Sequence, residues 1–250
     1  MENKDFNDWA AKHNYDLKTN RSLSFAPMVS PRVGFRWDIN NDRRFILRGG
    51  AGVFTGRIPF VWVSNNFSGT GVQISSYDSK HSNTKGLELI LDPNKQESNA
   101  QKLGAITGSQ DVAVCSKNFK FAQNLRLNLG FDFDLLGINW TAEAIYSKTL
   151  NDIIYKNLAM EQSGETFSQK YGYEWDNRPL YQSTVSGTPI AGIYTLCNTS
   201  KGYTVNLSLK AEKHFNFGLD LMASYTWTRS RSVANGGSSV AKSNWTYQYT

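Results

Sequence analysis

The stretch Lys120–Ser147, KFAQNLRLNLGFDFDLLGINWTAEAIYS, decides the fold. From Phe121 to Leu135 the odd positions are almost all apolar: Phe121, Leu125, Leu127, Leu129, Phe131, Phe133 and Leu135. Between them stand Asn124, Arg126, Asn128, Gly130, Asp132 and Asp134. A period of two marks a strand with one apolar and one polar face. Leu136-Gly137 turns the chain, and the alternation resumes with Ile138, Trp140, Ala142, Ala144 and Tyr146 against Asn139, Thr141, Glu143 and Ser147. The pattern predicts a long β-hairpin. Its arms exceed the ~5–6 residues usual in soluble proteins and reach the ~9–11 of a tilted strand that crosses a bilayer. Arg126, Asp132, Asp134 and Glu143 suit the water-filled interior of a barrel, and equally the wetted face of a soluble sheet. The hairpin by itself leaves both architectures open.

Two more hairpins repeat the plan. Val29, Pro31, Val33, Phe35 and Trp37 alternate with Ser30, Arg32, Gly34, Arg36 and Asp38; after Asn40-Asn41-Asp42 a second arm runs from Arg44 to Thr55. Near the end, Tyr203, Val205, Leu207, Leu209 and Ala211 pair with an arm carrying Leu219, Leu221, Ala223, Tyr225 and Trp227 across a turn at Asn216–Gly218. The glycines at Gly49, Gly50 and Gly52 sit inside a strand pattern, where they mark close backbone approach rather than a phosphate loop.

Turns within hairpins are short and connections between them long, as in transmembrane barrels. Tyr77–Asn118 and Leu158–Pro189 read as long loops, Ile190–Asn198 as a return to the sheet, and Asn244–Thr250 as the start of a strand. Aromatics gather at both strand ends. The twelve steps from Tyr203 to Phe215 span ~28 Å at ~3.3 Å per residue and ~45° tilt, close to the ~25 Å apolar band and its girdles. That agreement favours the membrane barrel. The other architecture is a soluble or surface β-sandwich that binds glycan or protein through its aromatic loops.

Composition excludes little else. Mean hydropathy is −0.47, which an alternating barrel shares with soluble chains. The net charge of +6 is scattered, with no basic block, so no nucleic-acid partner is expected. Cys115 and Cys197 lack metal-ligand spacing; both fall in or beside the long loops, where an oxidising exterior would permit a disulfide. His13, His81 and His214 match no metal motif, and no cofactor or catalytic constellation is expected. Asp132, Asp134 and Glu143 share a polar face, which lines water more simply than it performs acid–base chemistry. Residues 1–25 read as irregular, with a helical tendency over Phe6–His13. They show no apolar core of a signal peptide.

Three segments resemble one family. Ser30-Pro31-Arg32-Val33-Gly34-Phe35-Arg36-Trp37-Asp38 and Leu47-Arg48-Gly49-Gly50-Ala51-Gly52-Val53-Phe54-Thr55-Gly56-Arg57-Ile58-Pro59 are similar to a region of TonB-dependent outer-membrane receptors. Phe60–Ser68, Tyr146–Ile153 and Tyr225-Thr226-Trp227 with Ser230–Asn244 resemble the Oar-like branch of Bacteroidetes. The resemblance implies a 22-stranded barrel around a plug, which takes up a bulky ligand with energy passed through TonB. No TonB box or plug is expected within these residues. The fold class is therefore all-β: a partial transmembrane antiparallel β-barrel, a curved open sheet of long meander hairpins with short periplasmic turns and long extracellular loops. Residues 26–250 would be strands and loops of that barrel wall, in the bacterial outer membrane, with lipid and the TonB complex (through the plug) as partners. Arg32, Arg36, Arg48, Arg126, Asp132, Asp134, Glu143, Lys210, Glu212 and Asp220 would face the lumen. Arg57, Trp62, Asn65 and Asn66, at the loop end of a strand, are candidates for ligand contact or for packing of that loop.

Overall fold

A computed structural model describes residues 2–19, 27–72, 90–95, 110–233 and 236–248. Six strands form one antiparallel wall in the order β1 (Arg32–Asp38), β2 (Phe45–Thr55), β4 (Gln123–Leu135), β5 (Ile138–Asn157), β9 (Gly202–His214), β10 (Asp220–Ser232). Wall strands adjacent in sequence are adjacent in space. The sheet is open, with β1 and β10 at its edges.

The register puts like with like. One row across the wall reads Trp37, Leu47, Phe131, Ala142, Leu209, Tyr225; the next reads Phe35, Gly49, Leu129, Ala144, Leu207, Trp227. On the opposite face lie Arg36, Arg48, Gly130, Glu143, Ser208 and Thr226, then Asp38, Ile46, Asp132, Thr141, Lys210 and Ser224. Since a one-residue slip would exchange the faces, this register is what the alternation demands. Among the described residues nothing covers the apolar face: Val33, Phe35, Leu129 and Tyr225 are all exposed. A sandwich needs a second sheet there, and the expectation of a soluble sandwich is not met.

All short turns lie at one end. Leu135 pairs with Ile138 across Leu136-Gly137, whose φ values of +59° and +67° make the tight two-residue turn that suits twisted strands. Asp38 caps the β1–β2 turn by accepting from the Arg43 N–H. Stacked rings line the apolar face at this end: Phe45 with Phe131, Phe131 with Phe133, and Phe133 with Trp140.

The other end is a compact cap, and here the structure departs from the sequence reading. The long loop expected over 77–118 contains strand β3 (Gln110–Cys115) among its described residues. It runs parallel to β8 (Ile190–Thr199), which in turn pairs with the last third of β5. Val112-Ala113-Val114-Cys115 is apolar at every position because both faces of this strand are covered. On one face sits α1 (Lys4–Lys12), a full helix where an irregular stretch with a helical tendency over Phe6–His13 was expected. Its Phe6, Trp9 and Ala10 pack on Val112, Val114 and Ile193. The Asn3 side chain caps it by accepting from the Phe6 N–H at 3.0 Å. On the other face, α2 (Phe60–Ser68) and α4 (Ala241–Tyr247) meet Ala113, Cys115, Tyr155, Tyr194 and Leu196.

Of the strand start expected over Asn244–Thr250, residues 244–247 are helix and 248 a bend, while 249 and 250 lie outside the described residues. Asn244 bonds the backbone of Ser238 in both directions, and Trp245 lies 5.8 Å from the Tyr194 ring. The loop expected over 158–189 is also built: β6 (Met160–Thr166) and β7 (Pro179–Ser183) pair, joined through α3 (Phe167–Tyr171) with its Thr166/Gln169 capping box. Cys115 and Cys197 are free, and no disulfide forms. Cys115 is in register with Leu196, so Cys197 belongs to the opposite face of β8.

Candidate functional site

The polar face of the wall is the first place where charged groups converge. Arg48 on β2, Gly130 on β4 and Glu143 on β5 are successive members of one row. Gly130 has no Cβ; one placed there would come within 2.8 Å of the Arg48 guanidinium carbon. The arginine therefore crosses a whole strand over the glycine. Its Nε donates to Asp132 Oδ2 at 3.1 Å and its Nη2 to Glu143. Nearby, Lys210 pairs with Glu212 at 3.0 Å and His214 Nδ1 with Asp220 at 2.5 Å.

All ten residues expected to share a face do so in this register. Arg32 and Arg126 lie in the row nearest the cap, and Arg36, Arg48 and Glu143 in the middle. Asp132, Asp134, Lys210, Glu212 and Asp220 lie toward the short turns. The face is thus basic at the cap end and richer in acids at the turn end. Its cap end holds a cavity of about 300 Å³ lined by Arg32, Gly50, Gly52, Phe54, Arg126 and Asn128. The Arg32 guanidinium lies 4.4 Å from the centre of the Phe54 ring.

The second place is the cap. Of the four residues proposed for ligand contact or loop packing, Trp62 donates from Nε1 to Ser238 O at 2.8 Å, and Asn65 from Nδ2 to Ser239 O at 2.8 Å. Asn66 is buried and donates to Val63 O. Trp62 and Asn65 thus serve the seam between α2 and residues 236–239, Asn66 bonds within its own helix, and Arg57 is exposed. His81 lies outside the described residues. Burial pushes the Cys115 thiol and the phenols of Tyr155 and Tyr194 each up to about 12. It also raises the Cys197 thiol, against a smaller pull from Lys156.

Two cap features escaped the sequence reading. One is a cavity of about 630 Å³ lined by Tyr155, Lys156, Met160, Tyr181, Trp245 and Gln248. The other is a run of rings, half-buried Phe167 followed by exposed Tyr171, Tyr173 and Trp175, each within 6.5 Å of the next. The spacing Tyr171-x-Tyr173-x-Trp175 was legible; the cavity, assembled from β5, β6, β7 and α4, was not.

The family model described as "outer membrane beta barrel domain" matches residues 16–250. The chain belongs to that family. This outer-membrane barrel segment places the protein in the bacterial outer membrane, and the two-faced open wall is the family's partial barrel. No curated protein matches the barrel's sequence. Among solved structures, a mutant of the ferric enterobactin receptor PfeA from Pseudomonas aeruginosa aligns at TM-score 0.44 and 13% identity, over 80% of this chain and 21% of that one. The siderophore receptor PirA from Pseudomonas aeruginosa aligns at 0.39 and 13%, over 80% and 28%. PirA from Acinetobacter baumannii aligns at 0.40 and 11%, over 83% and 23%. The chain therefore spans between 21% and 28% of the length of those receptors.

Proposed function

We propose that this segment is part of the wall of a TonB-dependent receptor, which takes up a bulky ligand across the outer membrane. The apolar face meets lipid, and the face carrying Arg48, Asp132 and Glu143 lines the lumen. The observation that carries this reading is the register. Six strands place every large apolar row on one side and every ion pair of the wall on the other. A closed barrel removes the open edges at β1 and β10 and satisfies their backbone groups, as hydrocarbon requires. Ion-paired side chains belong in an aqueous lumen, where solvent and a plug complete their hydrogen bonds. The finer kinship, to the Oar-like branch, rests on Phe60–Ser68 and Tyr146–Ile153.

Two measurements on the full-length protein test the two halves of the proposal. Single cysteines at positions 127 and 207 should be shielded from aqueous maleimide and quenched by lipid-borne spin labels, while those at 128 and 208 should react. Shielding without lipid quenching would overturn the orientation. Cross-linking in intact cells should capture TonB; a barrel in place that never yields the TonB adduct would overturn the transporter reading and leave the orientation intact.

A further inference from the structure

The alternation on β10 breaks near the cap. Along the apolar face run Leu221, Ala223, Tyr225 and Trp227, and the next two positions of the same face are Arg229 and Arg231. Arg229 is in register with Val205, and Val205 with Tyr146; Arg231 is in register with Tyr203, and Tyr203 with Lys148. Both arginines are exposed, and neither makes an ion pair among the described residues. Lys148 turns its ammonium to the carbonyls of Ser200 and Gly202 at 2.8 and 3.2 Å and adds a third positive charge to the same corner. The two rows continue through Leu127, Ala51 and Val33 and through Leu125 and Val53, with no acidic residue in either.

A cation facing lipid is most costly at the midplane and nearly free at the interface, so its depth decides its meaning. The ten steps from Leu221 to Arg231 span ~23 Å at ~3.3 Å rise and ~45° tilt, about the height of the apolar band. The opposite edge is marked by Lys213, in register with Leu221, its ammonium 5.2 Å from the centre of the Phe215 ring. The arginines therefore stand at headgroup level, beside the phenols of Tyr146 and Tyr203, where amphipathic rings settle. Residues i and i+2 of a strand lie ~7 Å apart on one face. Two planar guanidinium forks at that spacing present bidentate donors to phosphate oxygens.

We propose that Arg229 and Arg231, supported by Lys148, form a site on the outer wall of the barrel for an anionic, phosphate-bearing lipid headgroup of the leaflet at the cap end. The proposal rests on the apolar face meeting lipid, and the test separates the two. The full-length protein, with Cys115 and Cys197 replaced by alanine, carries a fluorophore at Leu207→Cys or Tyr225→Cys in bilayers of acyl-brominated phosphatidylglycerol or phosphatidylcholine. Quenching at 207 by both lipids reports orientation. At 225 phosphatidylglycerol should be preferred at low salt, about 5-fold for each arginine. Arg229→Gln/Arg231→Gln should bring the ratio near one. If that pair does not assemble, Arg229→Lys/Arg231→Lys should keep the preference at low salt and lose it in 0.5 M salt; a preference that survives the salt overturns the site. Equal quenching by the two lipids at 225, or a preference unchanged by the glutamine pair, also overturns the site and leaves the orientation standing. Loss of the preference to inorganic phosphate at matched ionic strength would assign the corner to free anions and overturn the lipid assignment. Absence of quenching at 207 removes orientation and site together.

Discussion

The wall and the cap bury their apolar residues by different means. In the cap, Phe6, Val112, Ile193 and Leu196 are fully buried, closed in between helices and a small sheet. In the wall, Phe35 is 52% exposed and Tyr225 71%, although the strands are longer and more regular. The cap is completed by its own chain and needs only water to drive burial. The wall's apolar side is left uncovered by the described residues, and in the proposed orientation hydrocarbon completes it. Strands covered on both faces by their own chain lose the alternation, as at Val112–Cys115, while the wall strands, with one apolar face left bare by the described residues, keep it.

The largest effect of a substitution should come from exchanging those two solvents, water and hydrocarbon. Leu207→Arg places a charge on the wall's apolar face near mid-depth and should cost ~2–4 kcal/mol, enough to stop assembly of the full-length barrel. Ser208→Arg, one residue on and across the sheet, should assemble normally. The readout is the heat-modifiable folded band from outer-membrane fractions. Equal assembly of both variants would break the distinction between the faces.

Alkaline pH should act on the cap and spare the wall. Burial holds the Cys115 thiol at about 12 against an ordinary value of 9.0. Below pH 9 the thiol is neutral in both states and its contribution to stability is complete. As the pH rises from 9 toward 12 the unfolded form ionises and the folded form does not, so stability falls through that window. Tyr155 and Tyr194, raised from 10.0 to about 12, add to the loss above pH 10. By pH 11 the thiol alone should cost on the order of 3 kcal/mol and the three groups together roughly 5 kcal/mol. Hydrogen exchange of β3 and β8 should accelerate there while that of β4 stays slow.

Gly130→Ala sharpens the comparison from inside the wall. The new methyl group takes the space through which Arg48 crosses β4 to reach Glu143. These charges are about one-third exposed, so the loss should be about 1 kcal/mol or less in the urea midpoint of the folded barrel. The cap's exchange rates should not move.

The smallest effect should be a gain. Leu136 occupies a left-handed conformation with φ +59° before Gly137, where Asn-Gly is the favoured pair. Leu136→Asn should raise the same midpoint by roughly 0.5–1 kcal/mol. No gain would mean that the register of β4 and β5 is set by the faces alone.

What the sequence determined by itself was everything that depends on neighbours along the chain. Strand faces follow from alternation, turns from Asn40–Asp42, Leu136-Gly137 and Asn216–Gly218, and the shared face of Arg48, Asp132 and Glu143 from parity. The tertiary structure decided the rest. Val112-Ala113-Val114-Cys115 shows no alternation, because a strand covered on both faces has no polar side to mark it. Its parallel pairing with β8 joins residues some eighty positions apart by register, Cys115 beside Leu196. Residues 241–247 became helix because Trp245 found Tyr194 and Asn244 found Ser238. Likewise, Arg48 reaches Glu143 only because the third strand of that row carries a glycine. A local period fixes which way a side chain points; only the packed chain determines what it meets.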